Sequence, residues 1–203
     1  MTLLKPFLVI VKSLLFYIFD SLALWIASSK QKNKFELVLL VRQDAIGDFI
    51  LWLDTAKKYR NLFPQEKYKI LLVGNALWCD LADSLTYWDK VIPIDVKKFK
   101  SFSRYRWVLL REIQSLGASI AIQPTYSREF YHGDALIRAS NAFRKVGSVG
   151  DMSNRNWLKK IISDRWYTEL VTASTKQMTE LERNSEFFQG FSKKPHQLSY
   201  PSM

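Results

Sequence analysis

Between residues 35 and 150 five short apolar runs alternate with stretches of helical spacing, and this alternation leaves few folds open. The runs are FELVLLV (35–41), YKILLVG (68–74), DKVIPID (89–95), ASIAIQP (118–124) and the weaker RKVGSVG (144–150). Short, partly β-branched apolar runs bounded by turn residues read as buried strands. Pro93 marks the third as an edge strand or a strand end. The first intervening stretch, 48–62, places Phe49, Leu53, Ala56 and Tyr59 on one helical face and stops at Pro64. Further helices are expected over 76–85, over 103–116 with Gly117 closing it, and over 127–142. Strands separated by single helices give βαβ units and a parallel sheet with right-handed crossovers. The expected fold class is therefore α/β, a Rossmann-like sheet with flanking helices. Ligands of such sheets bind at the carboxyl ends of the strands, which singles out the loops 42–47 and 123–128. After Gly150 the pattern loosens, with one more helix expected over 175–191, and 192–203 (SKKPHQLSYPSM) reads as a linker or frayed end. No internal repeat is present.

Residues 1–34 pose a separate problem, because LLKPFLVIVKSLLFYIFDSLALWIASSK is strongly apolar and runs into Lys30, Lys32 and Lys34. A signal peptide needs a small-residue cleavage site, for which Ala27-Ser28-Ser29 is the candidate. A spanning helix has to carry Lys12 and Asp20 through the bilayer, at a cost. An amphipathic helix in the membrane interface is the third reading, and a helix packed on its own domain is the plain alternative. At 100° per residue Lys5, Lys12, Ser13 and Asp20 fall on one side, together with Val9 and Phe16. Tyr17 and Trp25 suit the headgroup level. The lysines after residue 30 favour a cytoplasmic location for the rest of the chain. The expected organisation is a membrane-associating helix and basic linker (1–34), a Rossmann-like domain (35–191) and a polar end (192–203).

The 203 residues carry a net charge of +11, which calls for an anionic partner: nucleic acid, a phosphorylated small molecule or an acidic membrane surface. The lone Cys79 forms no internal disulfide and no zinc cluster, and His132 and His196 are too few for a histidine-rich metal site. In KKFKSFSRYRWVLLRE the residues Lys97, Lys98, Lys100, Arg104, Arg106 and Arg111 interleave with Phe99, Phe102, Tyr105 and Trp107. No recognition helix or stacking motif supports nucleic acid there. An anionic lipid or phosphorylated saccharide fits the cations, and a solvated helix flank is the plain alternative.

The turn in VRQDAIGDFILW holds the most chemistry. Asp48, after Gly47, stands in the first turn of a helix, where free N–H groups favour its ionised form. Such an acid is a helix-terminal cap in its plainest role, or a base facing a ligand. Gly47 allows a tight bend and close approach of a substrate. Arg42 can hold a phosphate or carboxylate in bidentate fashion, or pair with Asp44 or Asp48. Asp44 reads as loop-shaping. Arg128 and His132, after the fourth strand, face the same crevice if the sheet is parallel.

LVRQDAIGDFILW resembles the opening strand, turn and helix of glycosyltransferase family 9, the heptosyltransferase family, with its Arg-x-Asp-x-x-Gly-Asp turn. KILLVGNALWCDLAD, IAIQPTYSREFYHGDALIRASNAFRKVG and YTELVTASTKQMTELERNSEFFQGF resemble later segments of the family's first domain, in the same order. The resemblance covers about 35–191 and implies the acceptor-binding half of a glycosyltransferase-B architecture. It implies Asp48 as the base of an inverting sugar transfer. With it, the residues read above, Arg42, Asp44, Gly47, Arg128 and His132, are the candidate substrate-binding residues. The implied donor is a nucleotide-sugar such as ADP-heptose, with no metal or other cofactor. The implied partners are an anionic saccharide or glycolipid acceptor, the inner face of the cytoplasmic membrane and a separate donor-domain chain, with no nucleic acid. No donor-domain segments follow residue 191, so the chain is expected to be inactive alone. A non-catalytic saccharide- or lipid-binding module is the alternative. A nucleotide-binding Rossmann protein is disfavoured by the absence of Gly-x-Gly-x-x-Gly after the first strand.

Overall fold

The computed structural model describes residues 4–26 and 35–193. The lysines at 30, 32 and 34, the Lys5 side chain, His196 and the tail from 194 lie outside the described residues. After helix α1 (Leu4–Trp25) the chain runs β1 (Glu36–Arg42), α2 (Ile46–Leu62), β2 (Tyr68–Asn75), α3 (Cys79–Asp83), β3 (Lys90–Ile94), α4 (Val96–Phe99) and α5 (Arg104–Ser115). It continues through β4 (Ile120–Gln123), α6 (Gly133–Ser140), β5 (Arg144–Ser148), α7 (Trp157–Asp164), β6 (Glu169–Val171) and α8 (Glu180–Ser192).

The six strands form one sheet in the order β3-β2-β1-β4-β5-β6, and every pairing is parallel. This is the Rossmann-like α/β fold that the alternation predicts. β3 is an edge, as its proline requires: Pro93 has no amide hydrogen to give to a further strand. The connections run outward from β1 in one direction to β3, then in the other from β4 to β6. The carboxyl ends of β1 and β4 therefore flank the point where the strand order reverses, the place where such sheets open a crevice.

β1 is buried on both faces, and its alternating side chains feed two cores. Val38 and Leu40 pack with Phe49, Trp52 and Tyr59 of α2 and Phe187, Phe188 and Phe191 of α8. Leu37, Leu39 and Val41 pack with Leu110 and Ile113 of α5 and Leu136 and Ile137 of α6. α5 begins at the Ser103 cap, whose hydroxyl accepts from the Arg106 amide. Past its end Gly117 adopts φ +65°, which a side chain would resist.

The structure departs from the sequence reading in several places, among them the unexpected α7 and the start of α8 at Glu180 rather than 175. A short α4 precedes α5. The expected helix at 76–85 is only Cys79–Asp83. Of the helix expected over 127–142, only Gly133–Ser140 forms, and 126–132 is an irregular loop. That loop is pulled inward by the fully buried Arg128, which pairs with Asp134 and Asp164, and these tertiary ion pairs override helix propensity. A sixth strand, the three-residue β6, closes the far edge, too short to stand out in the sequence.

α1 lies against α5 with the side that carries Ser13, Phe16 and Asp20 turned inward. Asp20 is 3% exposed. Its carboxylate accepts from Arg106 Nε at 2.7 Å and Nη2 at 2.5 Å, and Arg106 also donates to the carbonyls of Phe99 and Tyr131. Phe16 stacks on Phe102 at 3.9 Å, and Phe19 meets Trp107 edge-on. So the polar stripe of this helix faces the protein, while Leu8, Leu15, Ile18, Leu22 and Trp25 face outward.

Candidate functional site

A cleft of about 460 Å³ opens at the carboxyl ends of β1 and β4. Its walls are Gln43, Asp44 and Asp48 from the β1–α2 turn, Gln123, Thr125, Tyr126, Ser127, Glu129, His132 and Gly133 from the β4–α6 segment, and Lys100, Asn154 and Glu180. The two loops singled out by the strand pattern both contribute.

Asp48 is half-buried on the cleft wall, in the third position of α2. The helix starts at Ile46, two residues before the expected start. Its N-cap is Ala45, and no side chain caps it. Among the described residues no hydrogen bond or ion pair engages the Asp48 carboxylate; only its backbone carbonyl is used, at 3.4 Å from Arg42 Nη2. A capping role is thus not what this acid performs here. Gly47 sits within the same helical turn rather than at a tight bend, and a Cβ built on it meets nothing within 4 Å. Its backbone needs no glycine, so the bend expected of it is absent, but the space above it is open to a ligand.

Arg42 is fully buried beneath the cleft, and the expectation that it grips a bound anion does not fit its position. Nη1 donates to Asn184 Oδ1 at 2.7 Å, Nη2 donates to Glu180 Oε1 at 2.6 Å, Nε lies 3.0 Å from Asp44 Oδ2, and the guanidinium lies over Trp52. This residue joins β1 to α8 and to the cleft loop. Asp44 also receives Thr125 Oγ1 at 3.3 Å, and its carbonyl accepts from Trp78 Nε1 at 2.9 Å. It lines the cleft while fixing the loop, as its sequence context suggests.

Arg128 does not reach the cleft either. Buried against the Tyr167 ring, it anchors the loop to Asp134 and Asp164, and Arg155 and Lys160 complete this ionic cluster. Placed outward, Arg128 would leave the fully buried Asp134 with Arg155 as its remaining cation, which favours the inward turn. The basic residue on the cleft wall is instead Lys100, 3.6 Å from Glu129.

His132 does line the cleft, 6% exposed. Burial, with Lys100 and Arg106 nearby, pushes its imidazole down to about 3, so the ring is neutral at ordinary pH. Nδ1 lies 3.4 Å from Glu129 Oε2, and Nε2 is buried without a hydrogen-bond partner. Gln43 likewise buries both amide atoms without a partner. Unpaired buried polar atoms are uncommon, and at a cleft they mark places where a ligand donates and accepts.

Glu180 was missed in the sequence, as was Gln43, whereas Lys100 belongs to the cationic run for which an anionic lipid or saccharide was expected. Glu180 opens α8 just after Thr179, whose hydroxyl accepts from the Glu182 amide while Glu182 reaches back to the Thr179 amide. The Thr-x-x-Glu spacing of this capping box is readable in the sequence and places Glu180 at the helix start. Burial raises the Glu180 carboxyl above its usual range against the pull of Arg42, and Asp44 and Asp48 add to the rise. Two carboxylates, Asp44 and Glu180, thus pair with one guanidinium at the base of the cleft.

Comparison with known proteins gives a consistent fold. No protein-family model and no curated protein sequence matches the chain. Among solved structures, the chain resembles E. coli heptosyltransferase WaaC with ADP-2-deoxy-2-fluoro heptose (TM-score 0.61, 20% identity), covering 81% of this chain and 51% of that one. It also resembles the glycosyl transferase family 9 protein of Veillonella parvula DSM 2008 (TM-score 0.60, 16% identity), covering 85% and 45%. E. coli ADP-heptose lps heptosyltransferase II gives a TM-score of 0.54 at 10% identity, covering 83% and 46%. The chain spans about half the length of the solved structures it matches. At these identities the likeness establishes a shared glycosyltransferase-like fold.

Proposed function

We propose that the chain is the acceptor-binding half of a heptosyltransferase-like enzyme, with Asp48 as the base that deprotonates the acceptor hydroxyl. The observation that carries this reading is the unengaged Asp48 carboxylate on the wall of the sheet-reversal cleft. In an inverting transfer, the acceptor oxygen attacks the anomeric carbon, the bond to the nucleoside diphosphate breaks, and the acceptor proton passes to the carboxylate. The carboxylates of Asp44 and Glu180 line the same cleft beside it. Arg42 holds those neighbours in place from beneath the cleft.

The cleft chemistry favours a polyhydroxylated ligand. Gln43 and His132 offer buried, unpaired donors and acceptors, and Thr125, Ser127 and Asn154 add further polar groups at the wall. Lys100 supplies a positive charge for a phosphate or carboxylate on the acceptor. The donor, a nucleotide-sugar of the ADP-heptose type, is assigned to a second domain or chain, and no metal is assigned to the transfer. One protein of the same fold, E. coli WaaC, holds ADP-2-deoxy-2-fluoro heptose, a compound of that type.

Calorimetric titration of the purified chain with an inner-core lipopolysaccharide saccharide, and separately with ADP-heptose, tests the proposal. Saccharide binding that weakens in Gln43→Ala, with no uptake of ADP-heptose and no turnover, is the expected result. Binding of the nucleotide-sugar in place of the saccharide would overturn it.

A further inference from the structure

α1 is amphipathic in reverse. The described part of the helix holds one acid, Asp20, and that acid is buried in its bidentate pair with Arg106. On the opposite side stand Leu8, Leu15, Ile18, Leu22 and Trp25, each 46% exposed or more. At 100° per residue these five fall within a single narrow stripe. By length and apolarity the helix can cross a membrane, with a mean hydropathy of 2.0 over Phe7–Trp25. A spanning helix in contact with lipid all round cannot keep Asp20 in a buried ion pair with Arg106 of α5.

The surroundings of the stripe decide what covers it. Lys12 and Lys159 both lie over the Tyr131 ring, Arg104 is exposed at the start of α5, and Arg165 lies at the lip of a groove between α1 and α7. That groove measures about 330 Å³ and is walled by Leu14, Tyr17, Ile162 and Trp166. An apolar stripe with cations at its margins and no exposed acid of its own fits an anionic bilayer surface. Pairing with a second copy would set these cations against each other.

We infer that α1 docks the folded domain side-on to an anionic membrane, its outward stripe in the acyl boundary and its cationic margin on the headgroups. The helix also sets the orientation. Its Phe16 meets Phe102 just before α5, and Ile26 accepts from Arg111 near the end of α5, so the two helices run in the same direction. The amino-terminal turns of α1 therefore lie at the cleft end of the sheet, with Lys12 against Tyr131, the neighbour of the cleft residue His132. An acceptor rooted in the bilayer would present its sugar to the cleft mouth. This docking does not rest on the sugar-transfer reading.

Flotation of the purified chain with vesicles of phosphatidylcholine, alone or with phosphatidylglycerol, tests the inference. Binding is expected on the anionic vesicles, reduced at least about tenfold in Leu15→Glu/Ile18→Glu and by the single Leu22→Asp, and unchanged in Asp48→Asn. Since these outward residues leave the Asp20–Arg106 pair intact, the variants are expected to melt at the temperature of the parent. Equal flotation of the stripe variants, absence of binding to either vesicle, resistance to alkaline carbonate as for a spanning helix, or a dimer dissolved by the same variants would each overturn it. Loss of saccharide binding with retained flotation would fault the cleft reading and leave the docking standing.

Discussion

At the scale of single residues the decisive contrast is between Asp48 and Arg42, six positions apart. Both flank the turn between β1 and α2, yet one faces the cleft and the other is sealed beneath it. The reason is electrostatic: a buried guanidinium needs several acceptors, and Arg42 finds them in Asp44, Glu180 and Asn184. Replacing Arg42 by Met leaves Glu180 without its cation in a partly buried site, and a loss of about 3–5 kcal/mol is expected in denaturant melts. Arg42→Lys is expected to recover little of this, because one ammonium cannot reproduce the fork. His132 gives a pH signature. Its folded-state value is depressed, so the unfolded chain takes up the proton first as pH falls below about 6.5. Stability should therefore decline from there towards pH 5, with a limiting slope of about 1.4 kcal/mol per pH unit from this residue, and His132→Asn should flatten that decline. Chemical denaturation at stepped pH measures it.

At the scale of elements, the first five strands follow from apolar runs, because a buried strand needs little beyond continuous hydrophobicity, whereas the sheet order and β6 do not. β1 and β2 begin and end within a residue or so of their expected limits. The loop 126–132 was not legible. Its path is set by Arg128 reaching Asp134 and Asp164, partners 6 and 36 residues away, which no local pattern encodes. The inward turn of Arg42 was hidden for the same reason, its partners Glu180 and Asn184 being contributed by α8. The orientation of α1 was half legible: periodicity grouped Lys12, Ser13 and Asp20, but only the pairing of Asp20 with Arg106 tells which side is in. Asp20→Asn is expected to destabilise by about 3–5 kcal/mol by stranding Arg106, whereas Asp20→Leu/Arg106→Met together should cost much less. Thr179→Ala removes the cap of α8 and should cost about 1 kcal/mol. It should also loosen Glu180, seen as weaker saccharide binding.

At the scale of the whole molecule, the sheet, the cleft and the outward helix are arranged around one end of the domain. Internal pairs such as those of Arg42, Arg106 and Arg128 use up acids along with cations, so the excess of +11 over 203 residues falls on the remaining basic residues. Lys97, Lys98, Lys100 and Arg104 remain exposed near the cleft end. Raised salt is therefore expected to weaken both vesicle flotation and capture of an anionic saccharide. The most direct measurement of the central claim is a structure of the chain with a bound acceptor saccharide. The expected result is a sugar hydroxyl about 2.6–3.2 Å from an Asp48 carboxylate oxygen. A saccharide ordered elsewhere on the surface, or seated in the cleft with every hydroxyl beyond the reach of Asp48, would contradict it.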